Sequence, residues 1–368
     1  MLTTGIRHSW KTFFKSALAS PTSTKHALRF TSNHHNLSHQ AYSHSHPRVL
    51  VTGGQGQLGG ALTSRLRQLY GNDSIINSDI NKPTDEESHD GPFCYINVVN
   101  KNDMQKCIVE NKVDWLVHYS ALLSAVGEQN PELAMQVNID GFQNVIDIAR
   151  QYRLRIFCPS TIGAFGADSP RNPTPDITIQ RPRTIYGVSK VYMELLGEYY
   201  HHRFGVDFRS LRYPGIISAG MPGGGTTDYA IEMFYAALRT GKYKCYLRKD
   251  SRLPMMYLPD CIRATAEILQ APDETFRMRT YNVTAMSFTP EELAYEIKKY
   301  VPHFEISYEP DARQAIADSW PEVFDDSNAR RDWGWQHEYD LSAMVAEMIT
   351  LVKAQTEETD RVATAAAI

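Results

Sequence analysis

Short apolar runs alternate with segments of helical periodicity along most of the chain after Pro47. Leu58, Leu62, Leu66 and Leu69 show the helical spacing most clearly. The runs predict strands at residues 48–52, 74–80, 93–98, 114–119 and 155–159, and the periodic segments predict helices at residues 57–70, 102–111, 131–151 and 186–204. This alternation is typical of parallel βαβ units with helices on both faces. We therefore expect an α/β fold with a doubly wound parallel sheet, whose strands all end at one ligand-binding edge.

The pattern changes beyond Pro214. A glycine-rich loop at residues 221–227 precedes a helical stretch that reaches about Thr240. Thr289-Pro290-Glu291-Glu292 combines an N-cap, a first-turn proline and a Glu at the third position, which predicts a helix start. These segments predict a smaller C-terminal substrate lobe. The expected domains are residues 47–213, then residues 214–354 as mainly the lobe with some segments returning to the first domain, and a flexible tail at residues 355–368.

The first 46 residues differ in charge from the rest. They contain five of the 38 Lys and Arg and no acid, because the first Asp or Glu is Asp73. Arg7, Lys11 and Lys15 lie beside an apolar helical face that contains Ile6, Trp10, Phe13, Phe14, Ala17 and Leu18. This composition predicts a mitochondrial presequence and linker, and so a matrix location. A disordered basic tail and a His-rich metal-binding tract are the alternatives, and a secretory signal fits worse.

Overall composition excludes several classes of protein. Hydrophobic residues make up 42% and charged residues 22% of the 368 positions, which is ordinary for a chain with a full core. No run approaches 18 uncharged apolar residues, so we expect no membrane partner. The five cysteines form no CxxC pair, which makes a disulfide framework or a bound metal unexpected. The net charge of -4 gives no reason to expect nucleic acid.

A glycine turn follows the first predicted strand directly. Its spacing is Gly53-x-x-Gly56-x-x-Gly59, between a strand and a helix whose first N–H groups can receive a phosphate. Asp79 lies at the end of the second predicted strand, where a carboxylate binds both ribose hydroxyls and repels a 2′-phosphate. The turn and the acid predict a Rossmann domain that binds NAD rather than NADP. A merely structural glycine turn is the alternative.

Two tyrosines have a lysine four residues later. Tyr295 and Lys299 lie inside the helix that begins near Thr289, where an exposed face explains them. Tyr186 and Lys190 open a predicted helix about 25 residues after Thr161. We expect the ammonium to lower the pKa of Tyr186, so that the phenolate takes a proton from a substrate alcohol that the Thr161 hydroxyl orients. A buried Tyr, a surface Lys and a turn Thr without catalytic roles are the alternative.

Longer stretches identify a family. They are residues 119–128 (YSALLSAVGE), 159–166 (PSTIGAFG), 181–190 (RPRTIYGVSK), 212–218 (RYPGIIS), 223–230 (GGGTTDYA) and 325–330 (DDSNAR). With these stretches the chain resembles the extended short-chain dehydrogenase/reductase superfamily, and within it the members that oxidise L-threonine. The resemblance covers the chain from Pro47 to about Val352. It implies a Rossmann domain with a small C-terminal lobe, usually in a homodimer.

The resemblance also implies roles for individual residues. Tyr186 would be the catalytic acid/base, Lys190 its partner and Thr161 the positioning hydroxyl. The implied NAD contacts, besides Tyr186 and Lys190, are Gly53, Gly54, Gln55, Gly56, Gln57, Leu58, Asp79, Ile80, Asn81, Asn97, Val98 and Ile216. The implied substrate pocket contains Ser124, Ser160, Thr161, Tyr186, Thr227 and Trp320, of which Ser124 and Trp320 could equally be packing residues. Asn97 stands where the family usually has Asp. Asn keeps a carbonyl oxygen that can accept a hydrogen bond but lacks the negative charge of Asp.

The implied reaction is NAD-dependent oxidation of the 3-hydroxyl of L-threonine to 2-amino-3-ketobutyrate. That product either loses carbon dioxide or passes to a 2-amino-3-ketobutyrate CoA ligase, which is a possible functional partner. A nucleotide-sugar epimerase or dehydratase of the same superfamily is the alternative, and the basic residues Lys242, Lys244, Arg248, Lys249 and Arg252 keep it open. An NAD-binding scaffold without turnover is the non-enzymatic alternative.

Overall fold

The computed structural model describes residues 46–83, 90–220 and 225–366, with side chains up to residue 357 except at residue 125. Contacts divide the chain into residues 1–44 and residues 45–368, and the described residues fall in the second unit. The predicted presequence at residues 1–46 therefore lies almost wholly outside the described residues, as does much of the predicted loop at residues 221–227. Among the described helices, none combines the length and apolar character needed to cross a membrane.

The strands and helices follow the predicted alternation. The strands are β1 (Val49–Thr52), β2 (Ile75–Asp79), β3 (Phe93–Tyr95), β4 (Trp115–His118), β5 (Arg155–Phe157), β6 (Ser160–Thr161), β7 (Asp207–Tyr213), β8 (Gly215–Ile217), β9 (Lys242–Cys245), β10 (Leu253–Tyr257), β11 (Thr280–Asn282), β12 (Met286–Phe288) and β13 (Glu305–Tyr308). The helices are α1 (Gln57–Tyr70), α2 (Lys101–Glu110), α3 (Ser124–Gln129), α4 (Pro131–Met135), α5 (Gly141–Tyr152), α6 (Ile185–Phe204), α7 (Tyr229–Arg239), α8 (Leu258–Gln270), α9 (Pro290–Lys298), α10 (Arg313–Asp318), α11 (Ser327–Trp333) and α12 (Leu341–Ala366).

The main sheet has the order β3-β2-β1-β4-β5-β7-β11, and β6 also pairs with β7. Its pairings are parallel throughout, with Val49 opposite Ile75 on one side and Trp115 on the other. Strand order therefore reverses between β1 and β4, where a doubly wound sheet opens a crevice for ligands. This confirms the predicted α/β fold with its doubly wound parallel sheet.

Most predicted elements differ from the structure by one or two residues at their ends, and two differ for a visible local reason. The predicted strand 93–98 ends at Tyr95, because Asn97 starts a turn in which its side chain accepts from Val99 N and its carbonyl from Asn100 N. The predicted helix 131–151 contains a π-helical segment, Gln136–Asp140, between α4 and α5. There the Asn138 side chain accepts from Leu122 N at 2.8 Å and donates to Leu122 O at 2.9 Å. The wider π-helical turn therefore directs this amide toward the loop that contains Leu122.

Buried apolar residues cover both faces of the main sheet. Val49 and Val51 belong to the cluster that contains α1 and α8, whereas Leu50 belongs to the cluster that contains α2, α5 and α6. Alternate side chains of a strand point to opposite faces, so β1 contributes to both halves of the core. Continuous burial over all four residues explains why this strand reads as an unbroken apolar run.

A smaller C-terminal lobe contains the sheet β12-β10-β8, the pair β9–β13 and their own buried cluster. The predicted start of α9 is confirmed, since Thr289 and Glu292 form a complete capping box. β11 returns to the main sheet beside β7. The domain boundaries proposed from the sequence stay predictions, as does the flexibility of residues 355–368. The backbone of that segment continues α12 to Ala366, and Gln355 accepts a hydrogen bond from Tyr235 at 2.8 Å.

Candidate active site

The glycine turn lies at the carboxyl end of β1. Gly53 has φ +70, and a Cβ added there would lie 2.7 Å from Ser120 N; one added at Gly59 would lie 2.2 Å from Gly53 O. A side chain at either position would displace backbone, so both glycines are needed for the turn to close. Gly56 is exposed and precedes α1 without a side-chain cap. A helix end whose first N–H groups lack a side-chain cap is the kind of site that binds a phosphate.

Asp79 lies beside this turn at the end of β2. Its carboxylate accepts from Gln55 N at 3.1 Å and from Asn81 N at 3.0 Å. Ile96 N donates to Asp79 O at 3.1 Å, which places Asn97 and Val98 directly after the neighbouring strand. The structure thus brings these predicted NAD contacts together at one sheet edge. Gln57 Nε2 donates to Ser218 Oγ, so the end of β8, which contains Ile216, is tied to the same turn.

The predicted Tyr–Lys pair lies in the first turns of α6. Thr184 caps the helix by accepting from Gly187 N at 3.1 Å, and Glu128 Oε1 accepts from Ile185 N at 2.7 Å. Tyr186 is partly buried and shares a hydrogen bond with Thr161. Lys190 is buried, and its Nζ lies 5.6 Å from the centre of the Tyr186 ring. The predicted catalytic residues therefore occupy one site.

The lowered pKa that the spacing predicts for Tyr186 is wrong. Burial raises the pKa of Tyr186 to about 12, while the hydrogen bond from Thr161 lowers it by less. Burial also lowers the pKa of Lys190 to about 8, although Cys158 and Glu194 act in the opposite direction. The Lys190 Nζ donates to Pro159 O at 2.7 Å. Loss of water disfavours both charged forms, and this effect exceeds the attraction that the sequence spacing suggested.

Four of the predicted substrate residues lie on segments around the Tyr–Lys–Thr site. Thr227 lies against β8, since a Cβ added at Gly215 would come within 2.8 Å of its Cγ2. Trp320 packs against the cluster of Ile162, Phe165 and Phe324, of which Ile162 follows Thr161 directly. Ser124 begins α3, which packs against the first turn of α6. Ser160 is buried, and its hydroxyl donates to Glu194. Ser160 therefore already has a buried partner, and the substrate roles of all four residues stay predictions.

Residues 49–284 match the NAD dependent epimerase/dehydratase family. The chain is 59% identical over 304 residues to the mitochondrial L-threonine 3-dehydrogenase of Bos taurus, which covers 82% of each protein. The chain belongs to the L-threonine 3-dehydrogenase family. The solved L-threonine dehydrogenase of Phytophthora infestans has a TM-score of 0.81 and 54% identity over 84% of this chain and 99% of that one. The holo form of the L-threonine dehydrogenase from Cupriavidus necator has a TM-score of 0.80 and 42% identity over 83% and 100%.

Sequence reasoning missed a buried ion pair beside the site of this threonine dehydrogenase family member. Glu194 lies one turn after Lys190 on α6, and both its oxygens accept from Arg212, at 2.9 and 2.8 Å. Gln180 donates to the same carboxylate at 2.9 Å. Because Ser160 precedes Thr161, the ion pair links the helix of Tyr186 to the strand of Thr161. The available signal was the position of Glu194 four residues after Lys190, on the same face of the predicted helix.

Proposed function

We propose that the protein oxidises the 3-hydroxyl of L-threonine to 2-amino-3-ketobutyrate with NAD. The observation that carries this proposal is the meeting of Tyr186, Thr161 and Lys190 at the sheet edge that holds the glycine turn. The relatives named for L-threonine dehydrogenation support the substrate. The fit of the cofactor rests on the turn itself: a Cβ at Gly53, Gly56 or Gly59 would crowd backbone atoms, and the exposed Gly56 has no side chain between the turn and a phosphate.

The chain's own residues divide the work. The glycine turn and the first N–H groups of α1 would hold the pyrophosphate of NAD, and Asp79 would hold the adenosine ribose. When bound, NAD supplies the hydride acceptor. Thr161 positions the substrate hydroxyl, and the ionised oxygen of Tyr186 takes its proton. The Lys190 ammonium lies 5.6 Å from the centre of the Tyr186 ring, where its positive charge favours the ionised tyrosine against the effect of burial.

The decisive experiment measures NADH formation with a panel of L-amino acids and product formation from UDP-sugars, because an epimerase or dehydratase returns the hydride and leaves no net NADH. We expect turnover with L-threonine, and none with a UDP-sugar. The basic residues of the lobe favour this outcome, because each is paired with an acid and so forms a solvated surface. The pairs are Lys242–Glu305, Lys244–Glu309, Arg248–Asp318, Lys249–Glu291 and Arg252–Glu292. Turnover of a UDP-sugar without any of L-threonine would replace the proposal with the epimerase alternative.

Asp79→Ala should raise the KM for NAD by about 10- to 100-fold, the cost of losing a hydrogen bond to a charged group. The preference for NAD over NADP should narrow at the same time, because the carboxylate no longer repels a 2′-phosphate. Steady-state kinetics with both cofactors measure the two effects. Asp73→Ala removes the same charge from an exposed position away from the turn and serves as control. An unchanged preference for NAD over NADP in Asp79→Ala would show that Asp79 does not bind the ribose hydroxyls.

A homodimer is supported by the exposed face of α6. Val188, Leu195 and Tyr199 are 46%, 59% and 53% exposed and lie on one side of the helix. A second copy of the chain would cover these side chains, and a monomeric mass in solution for the wild type would contradict this.

A CoA-dependent ligase that consumes 2-amino-3-ketobutyrate is the functional partner we propose. Failure of threonine-derived glycine to depend on such a ligase would remove that link.

We also propose that residues 1–46 direct the protein to the mitochondrial matrix. The basic, acid-free composition of the segment supports this, as do the mitochondrial names of the bovine and porcine relatives. Fusing these residues to a fluorescent reporter tests the proposal directly. A diffuse cytosolic signal would overturn the location and leave the proposed reaction untouched.

A further inference from the structure

Two of the five cysteines lie in contact beside the cofactor edge. Cys94 is in β3 and is partly exposed, while Cys107 is in α2 and is buried. The Cys107 thiol donates to Cys94 Sγ at 2.7 Å. The Asn111 amide donates to both sulfur atoms, at 3.7 Å to Cys94 and 3.5 Å to Cys107. The two thiols are thus already oriented toward each other by the strand, the helix and a shared amide.

The two thiols differ in reactivity. Donation by Cys107 lowers the pKa of Cys94, against the opposing effects of burial and of Glu110. The same contact, together with burial, raises the pKa of Cys107. Cys94 is therefore the thiol that more readily becomes a nucleophilic thiolate, and it is also the one that solvent reaches. Cys107 remains protonated beside it, in position to react next.

We propose that Cys94 and Cys107 form a peroxide-sensitive pair that closes into a reversible intramolecular disulfide. In the first step the Cys94 thiolate attacks hydrogen peroxide, the O–O bond breaks, and Cys94 sulfenic acid and hydroxide form. In the second step Cys107 sulfur attacks the sulfenic sulfur, the S–O bond breaks, and the disulfide forms with release of water. Two thiols are oxidised and one peroxide is reduced.

The two cysteines lie on either side of a loop that is predicted to contact NAD. The chain between the two cysteines includes Asn97 and Val98, which are among the predicted NAD contacts. The Asn144 amide holds their loop by donating to Val98 O at 3.1 Å and Val99 O at 3.0 Å. A cleft of about 350 Å³ lies along the same loop. The disulfide would join β3 to α2 around this loop. The thiol chemistry does not depend on the proposed function. An effect of the disulfide on NAD binding through this loop does rest on the proposed function.

Titrating the full-length reduced protein with hydrogen peroxide tests the pair. We expect the free thiols to fall from five to three, the intact mass to fall by two hydrogen atoms, and dithiothreitol to reverse both. The closed loop should raise the thermal midpoint by about 3–5 °C. Cys245→Ser, a change at a buried cysteine of the lobe, should keep the whole response. Cys107→Ser should stop the reaction at a Cys94 sulfenic acid that dimedone traps, and Cys94→Ser should prevent it.

Several results would overturn the proposal. They are five thiols that persist, a mass that rises by oxygen atoms in the wild type, or a cross-link between two chains on a non-reducing gel. If Cys107→Ser does not fold, Cys107→Ala provides the same comparison without a buried hydroxyl. Thiol counts and masses need no turnover, so a failure of the dehydrogenase proposal would leave this experiment readable.

Discussion

Tyr186→Phe should lower kcat for L-threonine oxidation by about 10²–10⁴, the usual contribution of general acid–base catalysis. The substitution removes only the hydroxyl that shares a hydrogen bond with Thr161. The aromatic ring can still pack at the start of α6, so the protein should fold and bind NAD nearly as before. Steady-state kinetics give kcat, and fluorescence titration with NADH gives the affinity for the cofactor.

Tyr295→Phe is a matched control for this experiment. Tyr295 also has a lysine four residues later and is 67% exposed on α9, away from the cofactor turn. Its substitution should leave kcat unchanged. A Tyr186→Phe enzyme within a few-fold of the wild type would remove Tyr186 from the proton transfer, whatever the control shows.

Arg212→Met should destabilise the protein by about 3–5 kcal/mol, because it leaves the buried Glu194 carboxylate without its charged partner. Both side chains are almost fully buried. Burial would raise the pKa of Glu194, but the charge and hydrogen bonds of Arg212, with those of Ser160 and Gln180, hold it below its usual value. A depressed folded-state pKa stabilises the protein above the unfolded-state pKa. This stabilisation is lost as the pH falls through the acid range.

Urea unfolding at neutral pH measures the effect on stability. Lys242→Met breaks an exposed pair with Glu305 and should change the free energy of unfolding by about 1 kcal/mol or less. Adding Glu194→Leu to Arg212→Met should restore part of the lost stability, because no unpaired charge is then buried. If Arg212→Met cost no more than the Lys242 control, the ion pair would not hold the strand of Thr161 to α6.

Local pattern was enough for much of the fold. The alternation of strands and helices predicted the parallel sheet, because each strand between two helical layers must be apolar on both faces. The capping box at Thr289 could be read directly, since its two partners are only three residues apart. The glycine turn could also be predicted, because its three glycines are close together in the sequence. In the structure, a Cβ at Gly59 would clash with Gly53, and one at Gly53 would clash with Ser120.

Other features became visible only when distant segments met. Glu194 and Arg212 lie on α6 and β7, and nothing in their spacing shows that they are buried together. Cys94 and Cys107 do not fit a known motif, yet the pairing of β3 with β2 and the packing of α2 bring their sulfur atoms into contact. The π-helical segment at Asn138 likewise follows from its bond to the Leu122 loop.

The sequence by itself determined the fold class, the cofactor turn and the identity of the Tyr–Lys–Thr group, because each depends on residues that are near in the chain or on recognisable stretches. Only the tertiary structure showed how burial acts on the pKa values of that group. The spacing of Tyr186 and Lys190 suggested a lowered pKa for the tyrosine, whereas burial raises it to about 12. Desolvation depends on every atom that excludes water from a side chain, and those atoms come from the whole folded chain.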